Sequence, residues 1–134
     1  ATATYLVLAQ AALGTNPMGK NGFLRQRANL LFNAGATTHN VQTRLNATAT
    51  GIQASSNGSN ISMSFTDTVQ NAGRTDRQSA PNPQSGDSYS GTATPQFTSI
   101  DTSGATTWAL AATLGATADW VCLLGADVSA TYAA

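Results

Sequence analysis

The sequence predicts an all-β fold: an antiparallel β-sandwich, jelly-roll-like or immunoglobulin-like, with about seven or eight short strands. Three observations lead to this prediction. Turn-forming residues recur at short, regular intervals, and the segments between them alternate between apolar and polar residues. The composition also favours strands over exposed helices. No internal repeat or second domain is visible, so residues 1–134 form one predicted domain.

The composition describes a neutral exterior rich in hydroxyl groups. The 134 residues include 24 Ala, 20 Thr and 12 Ser, while Glu is absent and Lys20 is the only lysine. The usual helix-surface residues are therefore scarce. Six Lys and Arg balance six Asp, and a net charge of zero favours association between copies. Nothing in this balance attracts a polyanion at long range, so nucleic-acid binding is not expected.

The first half of the chain contains three predicted strands and one ambiguous segment. The Tyr5–Leu8 run is a strand, because it is too short for a membrane span and lacks the basic flank of a signal peptide. Residues 23–32 could be strand or helix, because Leu24, Ala28 and Leu31 also lie at helical spacing. Val41–Thr50 and Ile61–Thr66 alternate with period two, which predicts strands.

The second half contains a long loop and a predicted terminal hairpin. Ser79–Ser90 is the longest loop, with two prolines and no bulky apolar residue. Thr107–Leu114 and Trp120–Val128 flank a short turn, which indicates a hairpin. The second strand is apolar on both faces, which is typical of a central strand. Trp120, Cys122 and Leu124 are therefore expected to be buried, with Cys122 as an inert thiol.

The ends of the chain are predicted to extend away from the domain. Ala1–Thr4 and Ser129–Ala134 consist of small residues with too little apolar bulk to pack against their own core. We expect them to lie along a neighbouring chain, for example as a strand added to a sheet edge.

Two segments approach known catalytic motifs without completing them. Gly14–Asn21 matches the phosphate-binding loop except that Asn21 replaces the hydroxyl residue that binds Mg²⁺. A connecting loop is the favoured interpretation. Asp101–Gly104 resembles the aspartic-protease loop with one residue inserted, but that chemistry needs two adjacent carboxylates, so a turn is expected.

The sequence predicts no catalytic, cofactor-binding or metal-binding residues, and therefore no enzyme activity. His39 is the only possible base for a nucleophile, and a solvated position at a strand end is expected for it. One Cys and one His cannot supply a zinc site, and the aspartates show no calcium-loop spacing. Without Glu, the carboxylate pair of a glycosidase is also unexpected.

Two groups of residues could instead bind a ligand. Arg25, Arg27 and Arg44 could form a small basic patch for a phosphate backbone, although salt bridges to aspartates of the same or a neighbouring subunit are the favoured interpretation. The aromatic residues Trp108, Trp120 and Tyr89 could stack on sugar rings, although core packing is favoured for the two tryptophans.

The chain resembles small β-sandwich structural proteins of tailed bacteriophages, especially capsid decoration (cement) proteins. The resemblance lies in the neutral Ala-, Thr-, Ser- and Gly-rich composition and in Thr106–Ala112 and Asp119–Leu123, which are similar to closing strands of such proteins. It implies a non-catalytic virion protein, located in the virion, that clamps neighbouring subunits. The implied partners are other copies of the chain and a major capsid protein, without a membrane.

Two alternatives remain open. A carbohydrate- or receptor-binding β module would use exposed aromatic, Asn and Asp side chains. A coat protein of a small RNA phage is similar in length, but such proteins usually have a more basic sheet and two C-terminal helices.

Overall fold

The computed structural model describes residues 5–33, 35–58, 62–80 and 96–134, which contain nine strands and no helix. Seven strands are long, 9 to 11 residues, and two have 3 residues. In chain order they are β1 Leu6–Thr15, β2 Phe23–Phe32, β3 Gly35–Leu45, β4 Thr48–Gly58, β5 Ser62–Asn71, β6 Gln78–Ala80, β7 Gln96–Thr98, β8 Ala105–Thr113 and β9 Val121–Thr131. The predicted all-β class is confirmed.

The strands form two antiparallel sheets that pack into a sandwich. The four-stranded sheet has the order β1-β8-β3-β4, and the five-stranded sheet has the order β7-β6-β5-β2-β9. Edge strand β1 contacts edge strand β9 on one side of the sandwich, and β4 contacts β5, β6 and β7 on the other. The two sheets do not close into a barrel.

The core lies between the sheets and is built from both. Its buried apolar members are Met18, Leu24, Ala28, Leu30, Phe32, Val41, Leu45, Val69, Ile100, Trp108, Leu110 and Ala112. Small residues occupy the outer face of the central strand β8, where Ala111 is fully buried. Alanine thus supplies packing volume where the chain has few large aliphatic residues.

A hydrogen-bonded polar group crosses this core. The indole Nε1 of Trp108 donates to Oε1 of Gln26 at 2.8 Å, and Nε2 of Gln26 donates to Oγ1 of Thr43 at 3.0 Å. Oγ1 of Thr43 lies 2.6 Å from Oγ1 of Thr50. The side chains of Gln26, Thr43 and Thr50 are fully buried. Because these partners satisfy one another across the two sheets, the network fixes how the sheets align.

Residues 23–32, left open by the sequence, form β2 in the interior of the five-stranded sheet. Its even-numbered residues, from Leu24 to Phe32, are buried, including the polar Gln26. The helical spacing of the apolar residues was misleading because Gln26 takes a core position through its hydrogen bonds.

The alternating segment Val41–Thr50 is two strands rather than one. Asn46 and Ala47 have φ values of 50° and 65° and form a two-residue turn between β3 and β4. Two positive φ values are the signature of a type I′ hairpin turn, which usually contains Asn-Gly. Because Ala occupies the second position here, the sequence lacks the expected glycine signal.

The predicted terminal hairpin is wrong. Strand β8 pairs with β1 and β3 in one sheet, whereas β9 pairs with β2 in the other. Asp119 and Asn33 hold the crossing between the sheets, since Nδ2 of Asn33 donates to Oδ1 of Asp119 at 3.0 Å. The short connection between the two strands therefore changes sheet instead of reversing direction within one.

The expected burial of the β9 side chains is also wrong. Trp120 is 51% exposed, Leu124 is 61% exposed, and Cys122 is an exposed free thiol. The strand is apolar on both faces, but it lies at the edge of its sheet. Of the two predicted core tryptophans, only Trp108 is buried.

The C-terminal residues pack against their own chain, contrary to prediction. Ser129–Thr131 belong to β9 and pair with β2. Beyond them, the backbone N–H of Ala133 donates to the carbonyl of Met18 at 3.1 Å, and Nδ2 of Asn21 donates to the carbonyl of Ala134 at 2.7 Å. Backbone hydrogen bonds hold this segment where apolar bulk is lacking. The expectation for Ala1–Thr4 lies outside the described residues.

Candidate assembly surface

Two long edge strands, β1 and β9, lie next to each other on one side of the sandwich, which we call the β1/β9 side. Each is paired along one edge only, β1 with β8 and β9 with β2. Their other edges present backbone N–H and C=O groups that no described strand pairs. Such an edge is a template for pairing with another chain.

The exposed large apolar side chains are concentrated on and around these two strands. Among the residues whose exposure the structure describes, they are Leu6, Val7, Phe23, Trp120, Leu124 and Tyr132. The first two belong to β1, and the last three lie in β9 or directly beside its ends. Phe23 is opposite Thr131 of β9. Exposed apolar side chains beside unpaired strand edges make this side a candidate contact surface.

Charge hardly protects this side of the molecule. Strand β1 contains no charged residue, and β9 contains only Asp127. The carboxylate of Asp127 is paired within the chain, since Nη2 of Arg27 lies 2.7 Å from its Oδ2. Both side chains are largely exposed, so the pair contributes little to stability. Edge strands of free soluble domains usually carry charges that discourage pairing, and here that protection is weak.

The two edges differ in regularity. The pairing of β1 with β8 shifts register between Val7 and Ala9 and again between Ala12 and Gly14. The pairing of β9 with β2 shifts once, between Leu123 and Gly125, and then runs without a shift from Gly125 to Thr131. Because bulges interrupt strand pairing, the regular part of β9 is the better template for a further strand.

The Gly14–Asn21 loop is a structural turn. It is followed by strand β2, not by the helix that a phosphate-binding loop requires. Its carbonyl oxygens are used internally, because Met18 accepts from the N–H groups of Gly22 and Ala133, and Gly19 accepts from Nδ2 of Asn71.

Lys20 lies beside a polar cavity of about 430 Å³ lined by charged groups of both signs. Arg74 makes two 2.8 Å hydrogen bonds to the carboxylate of Asp76. The carboxylate of Asp101 accepts from Oγ and from the backbone N–H of Ser103, at 2.6 and 2.9 Å, and these bonds lower the pKa of Asp101. Asp101 therefore closes its own turn, as the sequence predicted for Asp101–Gly104.

His39 is buried, not solvated at a strand end as predicted. Strand β3 is an interior strand, and its His39 ring lies 4.9 Å from the ring of Phe32 between centroids. Nε2 of His39 is 3.3 Å from Oδ2 of Asp119, although neither ring nitrogen makes a hydrogen bond to another described residue. Oδ2 of Asp119 also accepts from the backbone N–H of Ala116 at 2.9 Å. The described contacts of His39 and Asp119 are therefore with Asn33 and Ala116, which hold the connection between β8 and β9, and with the ring of Phe32.

The three arginines considered as a basic patch do not come together. Arg25 and Arg27 lie on the outer face of the five-stranded sheet, whereas Arg44 lies in β3 of the other sheet. The guanidinium of Arg44 lies 4.9 Å from the ring centroid of Tyr5 and donates to Gln42 at 2.8 Å. Arg27 makes an internal salt bridge to Asp127, as the favoured interpretation expected.

The structure adds two observations on ligands and membranes. Within residues 5–33, 35–58, 62–80 and 96–134, no three His, Cys, Asp or Glu side chains group together as metal ligands would. The same residues include no helix with the length and apolar character needed to cross a membrane. Tyr89, one of the aromatic residues considered for sugar stacking, lies outside the described residues.

Sequence reasoning missed the residues that form the β1/β9 side. It placed Leu124 and Trp120 in the core, and it named Tyr5–Leu8 as a strand without predicting that Leu6 and Val7 are exposed. A signal was present, because a strand with apolar residues on both faces is either central or an edge with an uncovered outer face, and only strand order separates the two. Comparison with protein-family models, curated proteins and solved structures finds no match.

Proposed function

We propose that this chain is a non-catalytic structural subunit of a multi-copy protein assembly, whose copies join through the β1/β9 side. The proposal depends on two adjacent edge strands, each with an outer edge that no described strand pairs, together with exposed apolar side chains and one internally paired charge. A free monomer would leave this side open to uncontrolled pairing. In an assembly the same features become the contacts.

Within this class we propose a virion role, as a capsid decoration protein that stabilises the shell through contacts with its own copies and a major capsid protein. The support is the neutral, hydroxyl-rich composition and the sandwich architecture, both of which fit the resemblance to decoration proteins. A small-phage coat protein is the second candidate; such proteins usually have a pair of helices, and the described residues contain strands and no helix.

The carbohydrate-binding alternative rests on the exposure of Trp120 and Tyr132. These side chains flank β9 at opposite ends. A strand of this length separates them by roughly 35–40 Å at about 3.3 Å per residue, too far for one sugar-stacking platform. The polar groups beside Trp120 are also occupied, since Oδ1 of Asn33 accepts from the backbone N–H of Trp120 at 2.8 Å.

Light scattering and negative-stain electron microscopy of the purified protein test the proposal. An assembly subunit forms defined oligomers whose mass exceeds that of the 13.7 kDa chain. Small discrete oligomers support a decoration protein, and closed shells formed by this chain alone support a coat protein. A monomer at all concentrations that binds a glycan array would contradict the assembly proposal and favour the carbohydrate module.

A further inference from the structure

We infer that two copies of the chain join by antiparallel pairing of β9 with β9, around a two-fold axis at Val128, so that their five-stranded sheets become continuous. This inference rests on the proposed assembly function and names its contact. The occupant of the β9 edge is a strand, because only a strand satisfies a row of unpaired backbone donors and acceptors without water. The β9 strand of a second copy fits this edge in geometry and in charge.

The regular part of β9 sets the length of the contact. Gly125–Thr131 pairs with β2 in unbroken register, so its free edge has the regular repeat that another strand needs. Two copies related by a two-fold axis perpendicular to the sheet keep the same faces up. One residue must then lie directly opposite its own copy across the axis, because only this register places side chains of the same face opposite each other. An axis at Val128, the middle of the segment, uses all of it.

Charge selects the same register. With the axis at Val128, Asp127 is opposite Ser129 of the second copy, whose hydroxyl can donate to the carboxylate. With the axis one residue earlier, the two copies of Asp127 would be directly opposite, which destabilises a strand pair. The Arg27 partner of each Asp127 remains in place on β2, on the far side from the new contact. A net charge of zero adds no long-range repulsion between the copies.

The exposed apolar side chains fit this register as well. An axis at Val128 pairs Gly125 with Thr131 of the second copy, so Leu124 of one copy and Tyr132 of the other both lie just beyond each end of the paired segment. Each of these side chains is 61% exposed in the single chain, more than any other large apolar side chain whose exposure the structure describes. Their juxtaposition buries them against each other, and the symmetry produces the contact twice. The side chains that the fold of one copy leaves uncovered thus become partners in the pair.

Disulfide trapping tests the register. In a Cys122→Ala background, which removes the only native thiol, Val128→Cys places two thiols opposite each other across the axis. Directly opposed residues have Cα atoms about 4.5–5.5 Å apart, within disulfide range. Ser129→Cys is the matched control, because it meets its own copy only diagonally, at about 7–8 Å. Under mild oxidation we expect a doubled mass on non-reducing denaturing gels for Val128→Cys and little for Ser129→Cys.

A second pair keeps the test valid if Val128→Cys does not fold. Ala126→Cys protein mixed with Ala130→Cys protein gives mixed cross-linked dimers in this register, whereas each alone gives few. Oligomers by light scattering without cross-linking at these positions would overturn the β9 pairing and leave the assembly function standing. A monomer by light scattering, with no cross-linking, would overturn both.

Discussion

At the scale of single residues, the two tryptophans show how strand order decides what a side chain contributes. Trp108 lies on the inner face of a central strand and donates to the buried Gln26. Trp120 precedes an edge strand and is half exposed. Both lie in similar apolar surroundings in the sequence, yet only one of them is part of the core.

We therefore expect opposite responses to truncation. Trp108→Ala removes a core aromatic ring and leaves Gln26 without its donor, at a cost of about 3–5 kcal/mol in free energy of unfolding. Trp120→Ala should cost less than about 1 kcal/mol in the single chain, the range of surface substitutions. Urea denaturation at a low protein concentration measures both. Equal costs would contradict the placement of β9 at the sheet edge.

The hairpin turn between β3 and β4 makes a second prediction at this scale. Ala47 has a φ of 65°, which strains a residue with a Cβ but not glycine. Asn46 tolerates its φ of 50° because its side chain donates to the carbonyl of Asp101 and accepts from the N–H of Thr107. Ala47→Gly should then raise the free energy of unfolding by roughly 0.5–1 kcal/mol. A lower midpoint in urea would argue against the type I′ turn.

At the scale of elements, the end of β9 is locked against the loop after β1. Gly22 is the contact point, because a Cβ there would collide with the carbonyl oxygens of Met18 and Thr131. Backbone atoms cannot move aside as a flexible side chain can. The loop and the chain at the end of β9 therefore stabilise each other. The carbonyl of Met18 accepts hydrogen bonds from the N–H groups of Gly22 and Ala133.

Gly22→Ala should separate these elements and destabilise the fold by about 3 kcal/mol or more, the range of severe steric changes. Gly104→Ala is the matched control, since a Cβ there meets no atom within 4 Å. Thermal unfolding gives the comparison, and amide hydrogen exchange shows whether residues 131–134 lose protection. If both variants were equally stable, the C-terminal residues would not pack against the loop after β1 as described.

The elements also show how much of the fold the sequence could predict. The apolar run Tyr5–Leu8 identified the start of β1, and alternation in Ile61–Thr66 identified part of β5, because these signals are local. The turn at Asn46–Ala47 lacked its usual glycine, and β2 contains a core glutamine whose partners come from the other sheet. Strand order depends on such contacts between distant residues, so the change of sheet between β8 and β9 left no local signal. The candidate surface was missed for the same reason.

At the scale of the whole molecule, the two sides of the sandwich differ. On one side, β4 contacts the three strands β5, β6 and β7 of the other sheet. On the other, β1 and β9 meet, and no strand in the described part of the chain pairs with their outer edges. We propose that other copies complete this second side. Substitutions in the core should then change the free energy of unfolding. Substitutions on the β1/β9 side should change the mass of the oligomer.

Sedimentation velocity of three proteins shows whether the β1/β9 side joins copies: the wild type, Leu124→Lys and Ser99→Lys. Leu124→Lys places a charge on the β1/β9 side, whereas Ser99→Lys places one at an exposed position after β7, at the opposite edge of the same sheet. We expect the wild type and Ser99→Lys to sediment as the same oligomer, and Leu124→Lys to sediment as a folded monomer. Three proteins with the same sedimentation coefficient, whether monomeric or oligomeric, would contradict this expectation.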